Sequence, residues 1–367
     1  MPARTLRIVH TVSSLQSGGM EHLVLRLVEA QRRRGHEAAI VALRDGPLAE
    51  PARARALPFT VLDGPKPVRV AQAARAFLRY QPDVLHAHNP TSLHYATVGA
   101  LLTRAALVYT DHGQTRGVAR VPRWIEWRMV DAAVGCSRDT ADRIAAPTFV
   151  PRAAPILNGV DVPGPPAPER RAGLRAALGC PDAALIGVVP ANLVAIKGHD
   201  VLLRALARVR DRGVATTVLL LGDGDQRPRL GALADALGLA DDRLRFLGFC
   251  RNVPDLLAAA DYMVLASRDE GLPLAVLEAM AAGLPVVVTA VGGLLELVEP
   301  DVHGLVVPAD DPAALAAAIE RLAGDPALRR RLGAAACDRV RAHFSLASTA
   351  DAYERLYRDV VARRSAR

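Results

Sequence analysis

The stretch SRDEGLPLAVLEAMAAGLPVVVT, Ser267 to Thr289, holds a strand end, a turn, a helix and the start of another strand in one short run. The strand "YMVLAS" closes at Ser267, and Glu270 with Gly271 makes the turn. Pro273 suits the first helical position, where its missing N–H costs nothing. From Pro273 to Ala282 the helix is apolar except for Glu278. A helix apolar all round is normally buried, and "LPVVVTA" then reads as the next strand.

Working outward, the same alternation recurs. "LRIVHTV" (6–12), "EAAIVAL" (37–43), "DVLHAH" (83–88), "ALVYTDH" (106–112) and "DAAVGCS" (131–137) read as strands. Residues 20–35 form an amphipathic helix ending in a basic turn and a glycine. After the Pro-rich stretch "NGVDVPGPPAPER" (158–170), six further strand candidates follow, from "ALIGVVP" to "HGLVVPAD". The expected fold is α/β, with two doubly wound parallel-sheet units facing an interdomain cleft. The expected boundaries are 1–160 and 161–344, with an amphipathic C-terminal helix within 345–367 packing back on the first unit.

At 367 residues, two cores are the default. The chain is 51% hydrophobic and 23% charged, ordinary for a globular protein. Its four cysteines are far apart with no CxxC pair, which predicts a reduced chain without a disulfide framework or zinc site. No secretory leader is legible, and no apolar run reaches the ~18–20 residues of a membrane span. A cytoplasmic protein is expected, at most peripheral at the inner membrane face. The net charge of +8 lies wholly in the first half: residues 1–160 hold 21 basic and 12 acidic side chains, a net of +9. That half is read either as a solvated surface or as a face for an anionic acceptor or acidic leaflet. Few aromatics and no nucleic-acid-binding motif argue against nucleic acid.

Candidate chemistry begins with the two glutamates. A carboxylate at Glu278 on an apolar helix needs partners, which sugar or ribose hydroxyls would supply, unless it sits at an exposed edge or in an ion pair. Glu270 lies where a loop meets a helix N-terminus, a place for an anion. Lys197, in "LVAIKGHDVLLRAL" (193–206), is one of two lysines against 44 arginines. A compact ammonium at a helix N-terminus suits a diphosphate differently from a planar guanidinium.

The E-x7-E spacing of Glu270 and Glu278, with Gly-Leu-Pro (Gly271, Leu272, Pro273) after the first, resembles the signature of glycosyltransferase family 4. "SGGMEHLVLRL" (17–27), "LHAHNP" (85–90), "YTDHG" (109–113), "NGVD" (158–161), the Lys-Gly segment and 291–319 resemble the family's other segments in order. The resemblance implies a retaining transferase of GT-B fold. A nucleoside-diphosphate sugar would serve as donor, with a glycan, lipid-linked or small-molecule acceptor and no cofactor or required metal. It implies that Lys197 and Gly198 hold the diphosphate and that Glu278 binds the ribose. Glu270, with the amides after Gly271, would contact the sugar and phosphate, and His112 would lie against that sugar. Gly18 and Gly19 would let amides approach the donor phosphate or the acceptor. His88 and Asn158 would line the cleft on the acceptor side. One departure stands out. Where the family usually carries an Arg five residues before the lysine, this chain has Asn192, with Arg251 as a candidate substitute cation.

"GDGDQ" (222–226) holds a D-x-D but follows an apolar run in a Gly-rich turn, so it reads as a turn and not a metal site; nor is it a dinucleotide fingerprint. "RWIEWRMV" (123–130) sets Trp124 and Trp127 on one helical face, fit for packing on the sheet, for a membrane interface or for an aromatic-walled acceptor pocket. Two other readings remain: another enzyme on this fold, an epimerase or phosphorylase, or a weakly active or non-catalytic sugar-nucleotide or glycan-binding protein, which Asn192 motivates.

Overall fold

The computed structural model describes residues 4–16, 18–113, 124–144, 150–179, 185–239 and 243–366. Six strands come from the first half: β1 (Arg7–Val12), β2 (Glu37–Ala42), β3 (Phe59–Val61), β4 (Val84–Ala87), β5 (Ala106–Asp111) and β6 (Ala132–Gly135). Six come from the second: β7 (Leu185–Pro190), β8 (Thr216–Leu221), β9 (Leu244–Gly248), β10 (Tyr262–Leu265), β11 (Val286–Thr289) and β12 (Gly304–Val307). All pairings between them are parallel. The first sheet runs β3-β2-β1-β4-β5-β6, and the second repeats that order as β9-β8-β7-β10-β11-β12. Each is the doubly wound order in which the winding reverses beside the first strand, and the crevice at that reversal is where such sheets bind ligands. It falls between β1 and β4 in one sheet and between β7 and β10 in the other.

Two compact units contain these sheets. One is Met1–Gly159 together with Leu346–Arg367, and the other is Val160–Ser345. In the first, alternate strand residues feed opposite faces, as the pleat requires. Ile8, Ile40, Val84, Val108 and Val134 share one core with Tyr353 and Tyr357 of the helix Leu346–Ser365. Val9, Val41, Leu85, Leu107 and Tyr109 build the other. In the second unit the inner strands β8, β10 and β11 are buried at every residue, as strands covered on both faces are.

The strand β3 was not legible beforehand. It is three half-buried residues at the sheet edge, too short for a pattern. Two local expectations are corrected. Pro273 is not the first helical residue: it caps the helix Leu274–Ala281 in an extended conformation, φ −71° and ψ 120°. Glu278 is not fully buried. Ala275, Glu278 and Ala282 are the partly exposed positions around that helix, and their spacing draws one open stripe on an otherwise buried element.

Candidate functional site

Lys197 stands in the loop that follows β7, in a 3₁₀ turn, Ala195–Lys197, directly before the helix His199–Asp211. Gly198 joins the two with φ +64°, and a Cβ there would lie 1.9 Å from the Ala266 carbonyl oxygen. Only glycine tolerates both the left-handed backbone and that approach. The close approach brings the Lys-Gly loop against the end of β10, at the reversal of the second sheet.

There the lysine meets the acidic turn. Lys197 Nζ donates to Glu270 Oε1 at 2.6 Å, and Ser267 Oγ donates to the same oxygen at 2.6 Å. Thr289 Oγ1, at the end of β11, donates to the Ser267 carbonyl at 2.5 Å and steadies the turn. Glu270 is 8% exposed and the Lys197 side chain 24%. One of the three ammonium donors is thus spent on the carboxylate, and the group keeps an open side. Such a cation is pre-oriented by a charge-assisted bond and able to take an anionic oxygen on its other donors.

Arg268 was missed by sequence reasoning. Its backbone N–H donates to Ile196 O at 2.8 Å and its guanidinium to Ala195 O at 2.5 Å, while it pairs with Asp200 at 3.0 Å and Asp310 at 2.8 Å. It staples the lysine's turn to the β10 loop. In the sequence it is one arginine among 44, and nothing local singles it out. His199, directly after Gly198, is buried with neither ring nitrogen partnered among the described residues. Burial, assisted by the charge of Lys197, lowers its pKa to about 4.

The other expected donor residues of this unit spread around the same ends of the strands. Asn192 is exposed in the loop after β7, and Arg251 is exposed after β9, with β8 between those two strands. Leu272 is buried beside the turn. The "GDGDQ" glycines serve backbone packing: a Cβ on Gly222, at φ +148°, would meet Ala191 O at 2.3 Å, and one on Gly224 would meet Leu193 O at 2.4 Å. Leu193 N–H donates to Asp223 O, and Gln226 N–H donates to Leu193 O. Asp223, the first residue of the D-x-D, is thereby part of the frame under the β7 loop.

In the first unit, histidines gather at the ends of β1, β4 and β5. His10 Nε2 meets Gln31 Oε1 at 2.9 Å, His10 Nδ1 meets His88 Nε2 at 2.8 Å, and His88 Nδ1 meets His112 Nε2 at 3.1 Å. The carboxamide oxygen can only accept, so His10 donates from Nε2. Each following ring then donates from its own Nε2 in turn. The line ends at His112 Nδ1, buried and without a partner among the described residues. Burial lowers the pKa of His10 and of His112 to about 4 and that of His88 well below the usual range, so the line is neutral near neutral pH. Alongside it, His86 meets Tyr357 OH at 2.6 Å and Thr110 Oγ1 at 2.7 Å.

His10, His86 and His88 bring ring nitrogens within 4.8 Å of one another. Their nitrogens are taken up by these hydrogen bonds, and the 2.8 Å contact between His10 and His88 is a proton-sharing distance. The group reads as a hydrogen-bonded stack. His88 was expected to line a cleft; it is 1% exposed and lies between His10 and His112. Asn158 is likewise buried. Gly18 caps the helix Gly19–Arg33, and a Cβ on it would lie 2.4 Å from Glu21 Oε2. Burial raises the Glu21 pKa to about 7. Trp127 packs edge-on against Tyr109, ring centroids 5.2 Å apart. The side chains of Arg123 and Trp124 lie outside the described residues. No helix among the described residues is long and apolar enough to cross a membrane.

Two Rossmann-type units, one with a lysine fixed against a glutamate at its sheet reversal, define the GT-B class. Residues 17–162 match the family described as Glycosyltransferase Family 4, and residues 184–325 match Glycosyl transferases group 1. The chain belongs to glycosyltransferase family 4. Alpha-D-kanosaminyltransferase of Streptomyces kanamyceticus is 34% identical over 52% of this chain and 50% of its own length. The lipopolysaccharide core biosynthesis glycosyltransferase LpsD of Rhizobium meliloti is 37% identical over 52% of this chain and 54% of its own. The chain thus spans about half the length of these curated relatives. Among solved structures, Anabaena Alr3699/HepE in complex with UDP and glucose superposes with a TM-score of 0.84 at 22% identity, over 96% of this chain and 99% of that one.

Proposed function

We propose that this protein is a retaining, metal-independent glycosyltransferase that takes its sugar from a nucleoside-diphosphate donor held by the second unit. The observation that carries the reading is the Lys197–Glu270 pair at the β7/β10 reversal. A diphosphate leaving group gains negative charge as the glycosidic bond breaks, and a preoriented ammonium stabilises that charge without reorganising. Gly198 gives the phosphate a close backbone, Glu278 on its open stripe takes ribose hydroxyls, and Glu270 with the amides after Gly271 contacts the sugar. His112, from the first unit, lies against the transferred sugar, its tautomer set by the line behind it. Transfer with retention follows if the departing phosphate takes the acceptor proton on the same face, so no protein base is required. The UDP and glucose of the Alr3699/HepE complex support a nucleotide-sugar donor. The names of the relatives favour a glycan or small-molecule acceptor. The free thiols of Cys136, Cys250 and Cys337 fit a reducing, cytoplasmic setting.

Asn192 favours a second reading, a weakly active or purely binding protein. Losing one charge-assisted contact of ~1.5–3 kcal/mol slows transfer roughly ten- to a hundredfold. Thermal unfolding with UDP and with GDP, each with and without Mg²⁺, separates the cases. One nucleotide is expected to raise the midpoint without metal, by the equivalent of ~2.7 kcal/mol at a hundred times its dissociation constant, and Lys197→Ala is expected to abolish the rise. No rise with either nucleotide in the wild type refutes the donor site. A rise with no donor turnover, recovered by Asn192→Arg, selects the binding reading.

A further inference from the structure

The first unit contains a cavity of about 810 Å³ at the carboxyl ends of β1 to β4. Ser13 and Ser14 follow β1, Arg44 follows β2, Lys66 and Arg69 open the helix after β3, and Thr91 opens the helix after β4. Two features make its chemistry one-sided. The helices Lys66–Tyr80 and Pro90–Thr103 both begin at its wall, and helix N-termini favour anions. Three cations also converge on it, and none of Arg44, Lys66 and Arg69 makes an ion pair among the described residues. This is unusual in a chain whose arginines are so widely paired, from Arg4 with Asp83 to Arg364 with Asp131. Arg69 Nε is buried with no hydrogen-bond partner among the described residues, a cost a folded protein normally avoids unless something else supplies the acceptor. The acidic wall residue, Glu126, already pairs with His94 at 2.9 Å. Lys66 is the other of the chain's two lysines.

We infer that this cavity is a binding site for a phosphate-bearing acceptor, its phosphate taken by Lys66, Arg44 and Arg69 and its hydroxyls by Ser13, Ser14 and Thr91. The inference rests on the transferase reading for the word acceptor, but its binding claim stands on the first unit alone. A phosphorylated sugar and an anionic lipid headgroup share the chemistry.

The test is equilibrium binding to the full-length protein of a hexose monophosphate, the same hexose without phosphate, and vesicles of phosphatidylcholine with and without phosphatidylglycerol. Wild type is compared with Lys66→Ala and Arg44→Ala, both at exposed positions where folding is spared. Either phosphate-bearing probe is expected to bind and its neutral counterpart to fail, with each substitution weakening binding by about tenfold. Preference for the soluble sugar or for the anionic vesicle names the source. Equal binding of charged and neutral probes, no binding of any, or affinities unchanged by both substitutions overturns the inference. UDP and GDP shifts on the same samples report the second unit separately. Their absence in wild type sinks the donor reading and leaves the phosphate result to be judged by itself.

Discussion

A methyl group at position 198 would have to occupy the space of the Ala266 carbonyl at a backbone φ of +64°. Gly198→Ala is therefore expected to cost more than the ~1–3 kcal/mol of a strained backbone alone, because the two loops must part. Chemical denaturation reads that loss. The same movement separates Lys197 from Glu270, so the nucleotide-induced rise in midpoint should vanish even below the unfolding range. His199→Leu is expected to do the opposite. It removes two unpartnered buried nitrogens, each a cost of ~1–3 kcal/mol, and should raise the melting midpoint; a lower midpoint would mean the ring is satisfied by water or ligand. At this scale the sequence was informative where chemistry is local. Glu270, Glu278 and Lys197 stand out by spacing and rarity. Arg268 and Ser267 do not, because their roles depend on two loops meeting across a sheet.

Three neighbouring strands, β1, β4 and β5, place His10, His88 and His112 in line, and only the parallel register makes them neighbours. His10 pairs with His86 across β1 and β4, although 76 positions separate them, and no local pattern carries that information. The element has a pH signature. Burial lowers His10 and His112 from 6.5 to about 4, so between those values the unfolded chain binds more protons than the folded one. Stability is then present above 6.5 and lost as pH falls through this window. Glu21 works the other way, raised from 4.5 to about 7 by burial; its contribution is full below 4.5 and lost as pH rises toward 7. Urea midpoints are expected to fall between about pH 7 and 5. Glu21→Gln should make that fall steeper, since the opposing group is gone. A fall no steeper than in wild type would show that Glu21 is not held protonated.

The two runs of alternating strands and helices were legible from the alternation of apolar runs, and the C-terminal helix from its amphipathic spacing; the order of strands in each sheet was not. What no pattern disclosed is that this helix brings Tyr353 and Tyr357 to the buried polar centre of the first unit, Tyr353 OH meeting Thr110 at 3.1 Å and Tyr357 OH meeting His86. Tyr357→Ala is expected to cost about 3–5 kcal/mol, as other deletions of large buried aromatics do. Hydrogen exchange should report it in β1, β4 and β5 and leave β7, β8 and β10 protected as before; equal loss in both sheets would mean the units unfold as one. The first unit owns segments on both sides of Val160–Ser345, which has a consequence for birth on the ribosome. The second unit can finish folding while the first sheet still lacks the helix that closes one face. At ordinary translation speeds that apolar face waits on the order of ten to forty seconds. A nascent chain of this design depends on whatever shields it in the interval, and slowed elongation after residue 159 should raise its loss to aggregation before any catalytic residue is touched.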